Sequence, residues 1–215
     1  MSILHKIKNI IHMIRAGQWV DLRYRLSVKW HGLDFAMIED VEALGLTRAR
    51  SKFYCDSGGP WLEEILKTIK ISRSDAALDI GCGKGGAVIT LARYPFMRVD
   101  GLELSESLIP IARNNLERMG ITNATIHHAD ASQFAGYDNY TFFYLFNPFP
   151  AEVMRETLAA INVSLQRRPR PVTMVYMNPI AHQTVLDAGF RQVAELPHAH
   201  LPAVVYEGGQ APATA

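Results

Sequence analysis

The sequence predicts an α/β fold built on a doubly wound sheet, and three observations carry that expectation. From Asp75 onward, short apolar runs alternate with stretches of helical periodicity. A glycine-rich turn, Gly81-Cys82-Gly83-Lys84-Gly85-Gly86, joins the first of those runs to the first helical stretch. The chain has 215 residues and is 48% hydrophobic, enough for one sizeable core in a single domain. In sheets of this kind ligands bind beyond the carboxyl ends of the strands, where the strand order reverses.

Taken in chain order, Ile3, Ile7, Ile10, Ile11 and Ile14 recur at helical spacing beside basic residues, an amphipathic helix. His12 and Arg15 interrupt its apolar stretch, so it does not read as a secretory signal. Residues 17–60 read as a mixed connector with short helices, helical character being clearest at 43–51. Asp56-Ser57-Gly58-Gly59-Pro60 breaks the chain before a helix over 61–71, whose apolar side is Leu62, Ile65, Leu66 and Ile69. Strands then fall at 76–80, 98–102, 124–127, 141–146 and 172–176, with helices at 85–94, 106–119, 151–165 and 181–188. The runs 190–195 and 203–206 pair as antiparallel strands, and residues 208–215 form an Ala/Pro/Gly-rich tail. This divides the chain into a helical extension or lid (1–70), a ligand-binding domain (71–207) and a tail.

Composition excludes several classes. With 22 Lys+Arg against 21 Asp+Glu, the net charge of +1 gives no strong nucleic-acid signal. Two cysteines, Cys55 and Cys82, cannot form a disulfide scaffold or a Cys-rich zinc module. His198 and His200 are an isolated pair without a third ligand at recognisable spacing, so no metal is expected. No apolar run reaches the ~18–20 residues of a membrane span, and the expected location is cytoplasmic. The charge is nevertheless uneven, +5 over residues 1–29 and −4 over the rest. The basic amphipathic helix therefore either packs on the domain with its charges in water or makes a peripheral contact, through residues 1–30, with an anionic membrane or acidic partner.

The chemistry concentrates at the strand ends. Gly81, Gly83 and Gly86 satisfy G-x-G-x-x-G, a weak dinucleotide signal by itself, since a structural glycine turn reads the same way. Asp79 lies two residues before the first glycine, where a carboxylate repels a pyrophosphate but suits a cationic ligand such as S-adenosylmethionine. Glu103 ends the second strand, placed either to accept bonds from ribose hydroxyls or to serve as a helix-start charge. Asp130-Ala131 ends the third, offering a carboxylate to an adenine amino group and a backbone amide beside it, or a simple turn. Asn147-Pro148-Phe149 ends the fourth. Pro148 forces Asn147 into an extended or turn geometry, from which its side-chain oxygen can accept from an amine while Phe149 walls out water.

These residues, Asp79-Ile80-Gly81-Cys82-Gly83-Lys84-Gly85, Glu103, Asp130-Ala131 and Asn147-Pro148-Phe149, resemble those of class I S-adenosylmethionine-dependent methyltransferases, specifically bacterial members of unassigned substrate. The resemblance runs from about residue 75 to residue 206. It implies a Rossmann-like seven-stranded sheet of order 3-2-1-4-5-7-6 with the last strand antiparallel. It also implies Asp79, Gly81, Cys82, Gly83 and Gly85 around the methionine moiety, Glu103 with Leu104 at the ribose, and Asp130 with Ala131 at adenine. Tyr54 and Ser57 are implied to close the cofactor site from upstream. Asn147-Pro148-Phe149 is similar to the Asn/Asp-Pro-Pro-aromatic motif of amino-group methyltransferases but has Phe149 in place of its second proline, so N and O acceptors both stay open.

The expected reaction is an in-line displacement in which positioning supplies much of the rate. A neutral amine needs no strong base before attack, whereas a hydroxyl generally does. His127 and His128 are candidate bases, and His182, after Asn178-Pro179, is a candidate for the acceptor side. A small molecule, a glycan or a protein side chain all fit as acceptor. Two other readings stand beside this one: an NAD(P)-dependent oxidoreductase on the same sheet, and a non-catalytic adaptor with a degenerate cofactor site.

Overall fold

The structure is a computed structural model that describes residues 19–38, 40–52, 54–196 and 201–209. Seven strands form one sheet: β1 (Ala76–Ile80), β2 (Arg98–Glu103), β3 (Ile126–His128), β4 (Phe142–Phe146), β5 (Val172–Met177), β6 (Arg191–Leu196) and β7 (Ala203–Gly208). Their order is β3-β2-β1-β4-β5-β7-β6, with β7 antiparallel to both its neighbours and the other pairings parallel. The described helices are α1 (Trp19–Trp30), α2 (Pro60–Leu66), α3 (Gly86–Leu91), α4 (Ile109–Arg118), α5 (Ala151–Arg167) and α6 (His182–Asp187).

The central strand β1 is buried at all five positions, as a parallel strand covered on both faces must be. Its alternate residues divide between two cores. Ala76, Leu78 and Ile80 face Val153, Met154, Leu158 and Ile161 of α5. Ala77 lies with Val99 and Phe142 on the opposite face, under apolar residues of α2, α3 and α4. Asp79 shares this second face, level with Gly101 on β2 and Tyr144 on β4. Gly101 cannot carry a side chain, because a Cβ there would come within 2.6 Å of Cys82 Sγ. The order reverses between β2-β1 and β1-β4, so the crevice at the carboxyl ends of these strands is the switch point.

Several boundaries differ from those expected. Residues 43–51 form only a 3-10 turn, Glu42–Leu44, ended by Gly45 in the left-handed region. The helix expected at 61–71 stops at Leu66, where Thr68 Oγ donates to the Ile65 carbonyl and draws it out of a continuing ladder. The helix expected from 106 starts at Ile109, with Pro110 in its first turn. α1 falls inside the stretch expected to be a mixed connector. It buries only Leu22, too little apolar periodicity to stand out in sequence. The Ile3–Ile14 stripe, His198 and His200 lie outside the described residues.

Candidate functional site

A cleft of about 990 Å³, counting its open mouth, lies at the carboxyl ends of β1 to β4. Its sheet side is formed by Gly81, Cys82 and Gly83 after β1, and by Glu103 and Leu104 at the end of β2. Asp130 and Ala131 follow β3, and Asn147 and Phe149 follow β4. The opposite wall comes from the connector between α1 and α2, including Arg50, Lys52, Tyr54, Asp56 and Ser57. Asp79 and Gly85 are not lining residues: Asp79 is buried next to the floor, and Gly85 sits in the left-handed region before α3.

The glycine turn is shaped by close approach. Gly81 has φ +79°, and a Cβ there would lie 2.5 Å from Pro148 Cβ, so the turns after β1 and β4 pack directly on each other. Gly83, at φ +53°, leaves room for the Tyr54 ring, which a Cβ would strike. Tyr54 is buried, and its hydroxyl has no hydrogen-bond partner among the described residues.

Three carboxylates surround this turn. Glu103 Oε2 accepts the Gly83 N–H at 2.8 Å and Oε1 the Ser105 N–H at 2.7 Å. Burial raises its pKa, although these N–H groups act against the rise. Asp56 accepts from Tyr24 Oη at 2.6 Å and from the Gly58 N–H, and burial pushes its pKa up as well. Asp79 is completely buried, with Oδ2 lacking a partner among the described residues. Burial pushes it well above the usual carboxylate range, and the nearby Glu103 and Asp56 push the same way. Concentrated acid beside a glycine turn opposes a phosphate and favours a cation. The side chains present thus fit the sulfonium and ammonium of S-adenosylmethionine.

At the other end of the cleft, Asp130 Oδ1 accepts from the Ser132 N–H and hydroxyl, and Oδ2 from Arg50 Nη2 at 2.5 Å. Burial acts upward on Asp130, but the bonds from Ser132 and Arg50 outweigh it and lower its pKa. Arg50 also reaches Glu156 on α5 at 2.8 Å, tying the connector to the domain across the cleft. Asn147 adopts the left-handed turn, φ +40°, rather than the extended geometry. Its Oδ1 accepts from Lys52 Nζ at 2.7 Å, while the Lys52 N–H donates to the Pro148 carbonyl.

The structure does not bring the candidate histidines to the cleft lining. His182 Nδ1 pairs with Tyr206 Oη at 2.7 Å. His127 lies near Asp100 and Tyr140, and His128 Nε2 pairs with the Leu104 carbonyl. Arg50, Lys52 and Asp56 were missed in sequence because they belong to no spaced motif, although Asp56 begins the recognised break. Asn178 signals itself only as a second Asn-Pro pair; it too has positive φ, +50°, and lines the cleft. No group of three or more His, Cys, Asp or Glu among the described residues has the arrangement of a metal site.

Residues 77–168 match the family described as "Methyltransferase domain". The chain is 25% identical over 135 residues to a demethylmenaquinone methyltransferase of Geobacillus kaustophilus (strain HTA426), covering 62% of this chain and 56% of that protein. It is 37% identical over 76 residues to a 2-heptyl-1-hydroxyquinolin-4(1H)-one methyltransferase of Mycobacteroides abscessus, covering 35% of this chain and 33% of the relative. The chain therefore spans about half the length of the first relative and a third of the second. Its fold is shared with an RNA methyltransferase of Salinibacter ruber solved with S-adenosyl-L-homocysteine, at TM-score 0.56 and 14% identity, covering 71% of this chain and 93% of that one.

Proposed function

We propose, from the match of residues 77–168 to the methyltransferase-domain family, that this chain is a class I S-adenosylmethionine-dependent methyltransferase acting on an N or O acceptor. The observation that carries the reading is the acidic setting of the glycine turn, with the unpartnered Asp79 Oδ2 buried next to its floor. A nicotinamide dinucleotide would bring a pyrophosphate to the same turn against these carboxylates.

When bound, S-adenosylmethionine supplies an electrophilic methyl group on a sulfonium. Glu103, fixed by two backbone N–H groups, keeps lone pairs for the ribose hydroxyls. Asp130 Oδ1 already accepts twice, from the Ser132 N–H and hydroxyl, so the adenine amino group falls to the remaining lone pair of Oδ2, beside the bond from Arg50. Gly81, Cys82 and Gly83 let the backbone approach the methionine portion. Leu104 and Ala131 border the nucleoside, Tyr54 and Ser57 cover it, and Phe149 walls out water. Asn147 accepts from an acceptor amine, which needs no strong base before attack. Titration calorimetry tests the assignment: Glu103→Ala and Asp79→Ala each weaken S-adenosylmethionine binding by about tenfold or more. Unchanged affinity in both would remove the basis of the reading.

The comparisons leave the acceptor open. We infer an acceptor that is a small molecule, a glycan terminus or a protein side chain. The connector between α1 and α2, within the expected 1–70 extension, acts as the lid and acceptor wall, since it lines the cleft. A peripheral membrane contact through residues 1–30 is supported by α1, where Trp19 and Trp30 are exposed beside Arg23, Arg25 and Lys29. No described helix is long and apolar enough to cross a membrane. Sedimentation with anionic vesicles, lost on deleting residues 1–30, is the expected result; equal binding by the deleted chain would exclude this contact.

A further inference from the structure

We propose that Lys52 is a methylation site of this protein, modified by the chain's own cleft. The inference rests on the reading of the cleft as an S-adenosylmethionine site, and it adds a modification that the reading does not require. Lys52 Nζ occupies the position an acceptor amine would take: it donates to Asn147 Oδ1 at 2.7 Å. The backbone is held there too, by the bond from the Lys52 N–H to the Pro148 carbonyl at 3.1 Å. Pro148 in turn packs on Gly81 of the glycine turn. The amine is therefore fixed beside the turn around which the methyl donor would bind.

Its electrostatic setting separates Lys52 from Arg50, the other cation lining the cleft, and from Lys84 of the glycine turn. Arg50 pairs with Asp130 and Glu156, and Lys84 with Asp34 at 2.7 Å. No carboxylate of the described residues lies within ion-pair distance of Lys52, whose one side-chain bond is to a neutral amide. Burial lowers its pKa, enlarging the neutral fraction. Lys52 is only partly buried, so its ammonium can lose a proton to water. The lone pair so freed forms the N–C bond to the sulfonium-bound methyl. The C–S bond breaks with its electron pair remaining on sulfur, leaving a thioether and a monomethylated ammonium.

The test uses the full chain and methyl-labelled S-adenosylmethionine with no added acceptor, followed by peptide mapping. In parallel, calorimetry follows cofactor binding, and trace acetylation of the cofactor-free chain compares Lys52 with the exposed Lys67 and Lys70. The expected result is up to one methyl per chain at Lys52, at a first-order rate independent of protein concentration. That rate rises with pH and falls by about tenfold or more in Asn147→Ala. Lys52 should also be acetylated faster than Lys67 and Lys70 at near-neutral pH. Cofactor binding without label on Lys52, or label spread equally over the lysines, overturns the proposal alone. Loss of cofactor affinity in Lys52→Met, with no methyl found on the wild-type side chain, assigns the ammonium to the cofactor's carboxylate and overturns it as well. Failure of the wild-type chain to bind S-adenosylmethionine removes the underlying reading and this proposal with it.

Discussion

Asp79 is the residue at which function and stability oppose each other. Its carboxyl is fully buried, and Oδ2 has no partner among the described residues. Because the folded state raises its pKa, the protonated form favours folding: that contribution is present below the unfolded pKa and is lost as pH rises through the raised folded value. At neutral pH the cofactor-free chain therefore carries an uncompensated cost that a cation would relieve. Asp79→Asn should raise the Tm of the free protein at neutral pH by about 2–4 °C, read by differential scanning calorimetry, while weakening cofactor binding. A lower Tm with unchanged binding would show that the carboxylate is structural. Asp79 was legible because its distance from Gly81 is fixed by the strand-to-turn geometry. Lys52 was not legible, since only the folded connector brings it to Asn147, 95 positions away.

Among the elements, the strands were read to within two residues at each end, β1 at both ends, with the largest misses at the start of β3 and the end of β7. Continuous apolar runs bounded by polar turns leave a central parallel strand little alternative. Helix ends were less legible because they depend on single groups such as the Thr68 hydroxyl, Pro110 and Gly45. The connector's position over the cleft depends on long-range pairs: Tyr24 to Asp56, Arg50 to Asp130 and Glu156, and Lys84 to Asp34. The Arg50 side chain is a third exposed, so its pairs contribute on the order of 0.2–1 kcal/mol each. Arg50→Ala should then lower Tm only slightly yet raise the association rate of S-adenosylmethionine by about threefold or more in stopped-flow fluorescence. An unchanged association rate would mean that these pairs do not restrain entry.

At the scale of the whole molecule, the sheet order places four strand ends around one crevice, and each contributes residues to it. That convergence was legible because the sites after the glycine turn were predicted at strand ends, which a doubly wound sheet aligns on one side; Tyr54 and Ser57, upstream of β1, follow no strand. His182 follows a strand as well, but its bond to Tyr206 holds it away from the cleft lining. Acid is concentrated beneath the crevice, in the buried Asp79 and Glu103, while the exposed positions of α1 include Arg23, Arg25 and Lys29. The most direct measurement is calorimetric titration with S-adenosylmethionine, S-adenosylhomocysteine, NAD and NADP across a range of pH. The account predicts dissociation constants on the order of micromolar for the two adenosyl ligands alone. It further predicts that S-adenosylmethionine binding weakens as pH falls and the buried carboxylates take up protons. Binding of a nicotinamide cofactor without either adenosyl ligand would contradict it.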